Sequence, residues 1–293
     1  MKKFLIFFLF ILFLSCSGGK KNISFIIKGD KYFLESIEPL LPQFLQRHAH
    51  LKLILEPVED ARAIASFLDG TSDIAISSRL FNAEEMNHAA GLNKQVQPYP
   101  VASSAVSVIL SEENKLQNIN MELLKKILTL QVVDWSEVIK ERINELYRMN
   151  QRERAERLLK ISDIIFNQKI EVCVLNSLFS LHSIILEKAN IRYFSSKIRL
   201  FSTEKSLIRY VAAHRNAIGF VSSVSKTPRC RKIPVNHVEP THQSIFSNEY
   251  PMVVKHYLFI PKSYRGIEII DLVLFLRSPL VQSKLRERGF SKP

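Results

Sequence analysis

The chain has 293 residues, a formal net charge of +13 and a pI near 9.6. A chain of this length can bury most of its apolar surface. It lies near the size at which a single hydrophobic core is replaced by two, so we expect two lobes. The excess positive charge favours anionic partners. The sequence contains no basic stripe with interleaved aromatic residues, which is the pattern that would indicate nucleic-acid binding. With only eight glycines and no Walker-type loop or Gly-x-Ser-x-Gly elbow, we do not expect an enzyme.

The N-terminal segment predicts an exported lipoprotein. An apolar run of eleven residues extends from Phe4 to Leu14, whereas a membrane-spanning helix needs about 20. Residues 1–15 are therefore typical of a signal peptide. Cys16 follows a small residue and resembles a bacterial lipoprotein cleavage site, although the two residues before Ser15 depart from the usual pattern. We expect lipid on Cys16 to anchor the protein to a membrane of the cell envelope, through a flexible tether over residues 16–22.

Strands and helices alternate in the next part of the chain. Ile23 to Lys28 alternates apolar and polar residues and predicts a first strand, and Leu51 to Pro57 predicts a second. Tyr32 to Arg47 and Ala61 to Leu68 predict helices, and two internal prolines restrict the regular part of the first. This alternation indicates the α/β class.

The segment from Gly70 to Arg79 is the strongest local indication of a binding site. It predicts a turn, a short buried strand, and then the polar residues Ser77, Ser78 and Arg79. Ligands bind at the C-terminal ends of strands in α/β sheets, and hydroxyls beside a planar guanidinium suit a phosphate-like oxyanion. The alternative is a strand that simply ends at a solvated arginine.

A charged segment and two cysteines later in the sequence bear on the structure rather than on ligand binding. Residues 137–163 contain seven Lys or Arg and five Glu, with apolar residues at helical spacing. They predict a mostly solvated helical extension, either a plain surface helix or a contact for a permease or another envelope protein.

Cys173 lies in a predicted buried strand and Cys230 in a basic loop. Export permits a disulfide between them, but the sequence provides no distance. The eight histidines lack ligand spacing, so we predict no metal site and no cofactor.

Several segments resemble one known family, and they keep that family's order. They are Ile64 to Arg79, Val101 to Leu110, Asn118 to Trp135, Ala217 to Ser222 and Ser278 to Gln282. The family is that of the periplasmic phosphate-binding proteins of ABC importers, within the type II periplasmic binding proteins. The resemblance covers nearly all of residues 23–293. It implies a two-lobed α/β fold in which each lobe is a sheet flanked by helices and two strands cross between the lobes.

The resemblance also implies how the chain is divided between the lobes. Lobe 1 is expected to contain residues 23–104 and, after the chain returns, residues 236–293, which end in a helix from Ile267 to Arg288. Lobe 2 is expected to contain residues 105–235, including the charged extension. The crossover strands are expected near residues 101–105 and 236–250.

The family's ligand loops are altered in this chain. Ser78 and Arg79 keep the family pattern, and the resemblance implies that they contact phosphate, together with the neighbouring Ser77. The first loop, however, is Asp30-Lys31-Tyr32 in place of hydroxyl residues. Lys31 is either a contact for the anion or an exposed lysine, and Asp30 repels an anion unless it accepts a proton from it.

Two other loops have changed as well. The family's glycines after the second strand are replaced, and Asp60 there is expected to be the N-cap of the next helix. In the fourth loop Ser180 matches the family, while Leu181 replaces a glycine. The expected phosphate contacts are therefore Asp30, Lys31, Tyr32, Ser77, Ser78, Arg79 and Ser180.

Two functions are compatible with these residues. The first is a monomeric solute-binding lipoprotein of an ABC importer that binds phosphate or a similar oxyanion between its lobes and delivers it to a permease. The alternative is an envelope lipoprotein of the same fold that contacts a protein or a polyanion and transports no small ligand.

Overall fold

The computed structural model describes residues 22–165, 168–177, 179–262, 264 and 266–293. The expected signal peptide, Cys16 and all of the tether except Asn22 lie outside the described residues. Among the helices of the described part, none has both the length and the apolar character needed to cross a membrane.

Strands and helices alternate through the described residues. The strands are β1 (Ile23–Gly29), β2 (Leu51–Pro57), β3 (Ile74–Ser77), β4 (Val96–Ser111), β5 (Glu171–Leu175), β6 (Arg199–Phe201), β7 (Ala217–Ser222), β8 (Cys230–Ile233) and β9 (Val253–Pro261). The helices are α1 (Lys31–Ile37), α2 (Leu41–Arg47), α3 (Asp60–Asp69), α4 (Ala83–Gly91), α5 (Met121–Leu128), α6 (Trp135–Arg148), α7 (Arg152–Ile165), α8 (Ser180–Lys188), α9 (Glu204–Ala213), α10 (His242–Phe246), α11 (Ile267–Leu276) and α12 (Pro279–Glu287).

The strands form one continuous hydrogen-bonded path. Their order is β2-β1-β3-β9-β4-β7-β5-β6, and β8 also pairs with β4. β1 runs parallel to β2 and β3, and β5 runs parallel to β6 and β7. The long strand β4 takes part in both lobes, because residues 96–105 pair with β9 and residues 106–110 pair with β7. The mixed sheet with its helices confirms the predicted α/β class.

Each lobe has its own hydrophobic core. The first-lobe core packs α1, α2, α11 and α12 on one face of the sheet, with Phe33 and Phe44 among its buried rings. The second-lobe core packs helices that include α5, α6 and α8 around Trp135 and Phe220. Because side chains alternate between the faces of a strand, α3 and α9 cover the opposite faces. The part of the sheet in each lobe is thus covered by helices on both faces.

The chain passes between the lobes in β4 and β9. Residues 101–105 lie in β4, but β9 begins only at Val253, C-terminal to the expected return at 236–250. Ile245 and Tyr250 pack in the second-lobe core, and the Tyr250 hydroxyl donates to the Val106 carbonyl at 3.0 Å. We therefore propose that the boundary lies at β9 rather than at residue 236.

Prolines divide two helices that were predicted to be single. The predicted helix from Tyr32 to Arg47 consists of α1, a 3₁₀ turn (Glu38–Leu40) and α2, since Pro39 and Pro42 each lie at the start of a new segment. The helix expected from Ile267 to Arg288 is also two. Ser278 caps α12 and Pro279 is its first residue, so the chain turns between α11 and α12 while both stay on the first lobe.

The charged extension is helical and mostly exposed, as predicted, while several of its apolar residues are buried. It forms α6 and α7, which pack against each other. Val138, Ile143 and Ala155 from these helices are buried in the second-lobe core, whereas Tyr147 is exposed. The pair is thus part of the lobe, with its charged residues outside.

The two cysteines of the described region are separate, buried thiols. Cys173 lies in β5 and Cys230 in β8, and no disulfide joins them. Burial raises the pKa of Cys173 to about 12 and that of Cys230 to about 11. Both therefore serve as small apolar side chains in the second lobe.

Candidate functional site

A cleft of about 440 Å³ lies between the two lobes. The first lobe contributes residues at the start of α1, at the start of α3 and after β3, and the second lobe contributes the first residues of α8 and α9. Ser104 of β4 and His256 of β9 lie between them. The first turn of a helix has free N–H groups and the positive end of the helix dipole. The starts of α3, α8 and α9 therefore favour negative charge in the cleft.

A pair of serine hydroxyls joins the lobes across this cleft. Ser78, directly after β3, lies 2.6 Å from Ser180 of α8, measured between the two Oγ atoms. The Ser78 Oγ is also 2.5 Å from Asp60 Oδ2, which accepts the Ser78 backbone N–H at 2.9 Å. Because a hydroxyl has one hydrogen, Ser78 donates to the carboxylate and accepts from Ser180. The structure thus brings together two of the predicted contacts.

Asp60 is not the helix cap that the sequence predicts. Glu59 is the N-cap residue, without a side-chain cap bond, and Asp60 is the first residue of α3. Its carboxylate is buried and accepts hydrogen bonds from Ser78 instead. Asp60 therefore adds a negative charge next to the serine pair.

Two further carboxyl groups meet at the same cleft, and one of them titrates near neutral pH. Asp30 caps α1, and its Oδ1 accepts the Phe33 N–H at 2.8 Å. Burial, followed by the nearby carboxylates of Asp60 and Glu204, raises the pKa of Asp30 to about 7. These carboxyl groups oppose a multiply charged anion unless a proton is shared with it.

Glu204 connects the lobes from the other side of the cleft. It is the first residue of α9, and its carboxylate accepts from the Ser222 N–H at 2.8 Å and from the Ser225 hydroxyl. The Tyr32 hydroxyl of the first lobe donates to the same carboxylate at 3.0 Å. Burial and then the Glu204 charge raise the pKa of Tyr32 to about 12, so Tyr32 remains a donor.

The structure does not place Arg79 at this cleft. Its guanidinium binds both oxygens of Glu85 at 2.7 Å, and it also donates to the Leu80 carbonyl at 3.0 Å. Glu85 is held in turn by a capping box with Asn82 at the start of α4. The guanidinium is thus neutralised by its own lobe. No local pattern in the sequence indicates this pairing, because Arg79 lies before α4 and Glu85 lies within it.

Ser77 and Lys31, two of the expected phosphate contacts, differ strongly in their exposure to solvent. Ser77 is completely buried, and its hydroxyl accepts the Arg79 N–H at 3.2 Å. Lys31 is at the edge of the cleft, with a side chain that is 67% exposed and 3.6 Å from Glu35. Lys205, also exposed, lies at the edge as well. The ammonium groups of Lys31 and Lys205 thus lie at the edge of the cleft, whereas the carboxyl groups of Asp60 and Glu204 are buried.

His256 is a cleft residue that sequence reasoning missed. Its Nε2 is 2.8 Å from the Ser104 Oγ, and its ring stacks on Phe33 at 5.7 Å and meets the edge of Phe290 at 5.2 Å. Burial lowers its pKa to about 4, so the ring is neutral. A single histidine in an apolar strand gives no local indication of this position.

The described residues contain no cluster of three or more His, Cys, Asp or Glu arranged to hold a metal ion. The polar groups of the cleft are hydroxyls, carboxyls and one neutral imidazole, with the ammonium groups of Lys31 and Lys205 at its edge.

Comparisons with known proteins agree with this architecture. The family model described as PBP superfamily domain matches residues 19–273. The phosphate-binding protein PstS of Borreliella burgdorferi is 24% identical over 267 residues, which cover 87% of this chain and 86% of that protein. The structure of an ABC-type phosphate transport receptor from Vibrio cholerae has a TM-score of 0.70 at 16% identity. The match covers 92% of this chain and 100% of that one. The structure of PstS from Borrelia burgdorferi has a TM-score of 0.61 at 18% identity, covering 92% of this chain and 98% of that one. The chain belongs to the PBP superfamily.

Proposed function

We propose that the protein is the solute-binding component of an ABC importer and that it binds phosphate, or a similar oxyanion, in the cleft between its lobes. The observation that carries the proposal is the Ser78–Ser180 pair, two hydroxyls from opposite lobes at the N-terminus of α8. A bound oxyanion accepts from the Ser180 hydroxyl, from the Ser78 hydroxyl once its hydrogen turns from Asp60 to the ligand, and from backbone N–H groups of that helix. Relatives named as phosphate-binding proteins support this choice of ligand.

The carboxyl groups select which oxyanion is bound. Asp60 and Glu204 accept hydrogen bonds, and so does Asp30 in its ionised form. A phosphate that carries protons offers O–H donors to these acceptors, whereas sulfate carries no proton at neutral pH and is repelled by the ionised carboxylates. We therefore expect singly charged phosphate to bind in preference to sulfate.

Calorimetric titration of the purified protein with phosphate, and separately with sulfate, tests this function. Heat that saturates with phosphate at or below millimolar concentration supports it. A neutral hydrogen bond contributes about 1 kcal/mol, so Ser78→Ala and Ser180→Ala should each weaken binding about 5-fold. Ser183→Ala is the matched control, since Ser183 lies on the same helix and its hydroxyl donates to the Ser180 carbonyl.

A second function is favoured by the same three carboxyl groups. Asp30, Asp60 and Glu204 occupy the helix starts where an anion would bind, and Arg79 is already paired with Glu85. This arrangement is expected of an envelope protein that keeps the fold without taking up a small anion. If the titration gives no heat with millimolar phosphate, this second function replaces the first.

The proposed function includes anchoring through Cys16. The Cys16→Ala protein should no longer incorporate labelled fatty acid in the producing cell and should leave the membrane fraction, or remain an uncleaved precursor. Labelling that persists in the Cys16→Ala protein would contradict the anchor.

A further inference from the structure

A second and larger groove lies beside the cleft and has the opposite charge. Its volume is about 1160 Å³, and its walls are α1, α9, the segment of residues 224–229 and the C-terminal residues 287–290. It shares Tyr32, Lys205 and Phe290 with the cleft. Both lobes therefore contribute to it.

Five exposed cations line this basic groove. They are Lys205, Arg209, Lys226, Arg229 and Arg288. Among the described residues, none of these five side chains has an ion-pair partner. Lys205 and Arg209 are four residues apart on α9, so they lie one above the other on the same face of the helix.

The two acidic residues of the basic groove do not neutralise these cations. Glu35 pairs with Lys31 at 3.6 Å, and Glu287 pairs with Lys284 at 2.9 Å. Neither partner lines the groove. The groove is therefore strongly positive, and like charges held together without counterions raise the local concentration of an anion.

The shape of the basic groove restricts the kind of anion. The cations lie on several walls of a concave surface, so a flat membrane does not reach them all. The volume exceeds that of the cleft more than twofold, so a single small oxyanion leaves most of the cations without a contact. A flexible chain of closely spaced negative groups contacts them together.

We propose that the basic groove binds a soluble linear polyanion of the condensed-phosphate class, with its phosphate groups against Arg209, Lys226 and Arg288. This site is separate from the Ser78–Ser180 pair and does not depend on the function proposed for the cleft.

The test uses short-chain inorganic polyphosphate as the probe, with binding measured at low and high salt. The triple variant Arg209→Ala, Lys226→Ala and Arg288→Ala removes groove cations that do not line the cleft. Exposed ion pairs are weak individually, so their loss together should reduce affinity about 3- to 150-fold at low salt. High salt should reduce the difference, because exposed charges are screened.

The control is a variant with the same change in net charge. Lys52→Ala, Lys115→Ala and Arg152→Ala remove three exposed cations outside the groove. The proposal predicts that this control binds polyphosphate like the wild type and that both variants unfold at the wild-type temperature. Equal losses in the two triple variants would show only the attraction of a basic protein for a polyanion and would overturn the proposal.

Two further measurements distinguish the alternatives. Ser78→Ala with Ser180→Ala should leave polyphosphate binding unchanged, and the groove variant should leave the binding of single phosphate unchanged. Loss of polyphosphate binding in the serine variant would place the polyanion in the cleft and overturn the proposal. Binding to vesicles with anionic headgroups that exceeds polyphosphate binding and is lost in the groove variant would assign the groove to a membrane and would also overturn it.

Discussion

At the scale of single residues, Asp30 links the chemistry of the cleft to pH. Its pKa of about 7 means that it loses its proton as the pH rises through neutrality, which adds a negative charge beside Asp60 and Glu204. Phosphate binding should therefore weaken as the pH rises from 6 to 8. Asp30→Asn removes the part of this dependence that comes from Asp30 and leaves the part that comes from the second ionisation of phosphate, so calorimetry should show a shallower dependence on pH.

The same carboxyl group should affect stability. Because folding raises the pKa of Asp30 from 3.8 to about 7, the folded state retains a proton that the unfolded chain has lost. Stability is therefore lost as the pH rises from about 4 to about 7, and Asp30→Asn should remove that loss. Glu84→Gln, at an exposed carboxylate, is the control; the same flattening in both variants would contradict the role of Asp30.

His256 should make stability depend on pH in the opposite direction, with stability lost as the pH falls. Burial lowers its pKa from 6.5 to about 4, so below pH 6.5 the unfolded chain binds a proton that the folded chain does not. The free energy of unfolding should decrease by about 1.4 kcal/mol per pH unit as the pH falls from 6.5 towards 4. Denaturant unfolding compared with His256→Phe isolates this contribution, and parallel pH curves for the two proteins would refute it.

At the scale of the elements, the close approach of β1 and β3 positions both loops of the first lobe. Gly29 is paired with Ile76, and a Cβ at Gly29 would meet the Ile76 carbonyl oxygen and lie 2.7 Å from the Ile76 Cβ. Gly29→Ala should therefore reduce the free energy of unfolding by about 1 to 3 kcal/mol. It should also weaken ligand binding, because Asp30 and Ser78 follow these strands.

A glycine in open space provides the comparison for this variant. Gly91 ends α4 and has no atoms within 4 Å of an added Cβ. Gly91→Ala should change stability by less than about 1 kcal/mol, in the stabilising direction because alanine favours the helix. Thermal unfolding of both variants measures the difference, and equal effects would contradict the steric explanation.

Local sequence predicted most of these elements, but not their interruptions. β2 begins and ends where the pattern predicts, because β-strand periodicity is a property of neighbouring residues. The C-terminal helix was predicted as one although Pro279 lies inside it. Proline is compatible with the first turn of a helix as well as with a break, and packing of both segments on the first lobe decides between these outcomes.

At the scale of the whole molecule, two of the hydrogen bonds between described residues join the lobes across the cleft. One joins Tyr32 to Glu204 and the other joins Ser78 to Ser180. A hydrogen bond to a charged group contributes about 1.5 to 3 kcal/mol and a neutral one about 1 kcal/mol. Their loss in Tyr32→Phe with Ser180→Ala should favour separation of the lobes.

Small-angle X-ray scattering without ligand measures this change. The double variant should have a larger radius of gyration than the wild type, and added ligand should reduce the difference. Tyr147→Phe is the control, because Tyr147 is exposed on α6. Identical scattering from all three proteins would show that these two hydrogen bonds do not hold the lobes.

The sequence alone determined the α/β class, the first strands and the polar residues that follow β3, because these depend on hydrophobic period and on the chemistry of short segments. It also carried the resemblance to the superfamily, through segments spread along the chain. Only the tertiary structure decided which charges meet. Arg79 is neutralised by Glu85, and Tyr32 reaches Glu204, which is 172 residues away. Such contacts depend on how whole elements pack, and no local periodicity contains them. For the same physical reason, only the packing of the two lobes places the carboxyl groups of the cleft near one another and the cations of the basic groove along one surface.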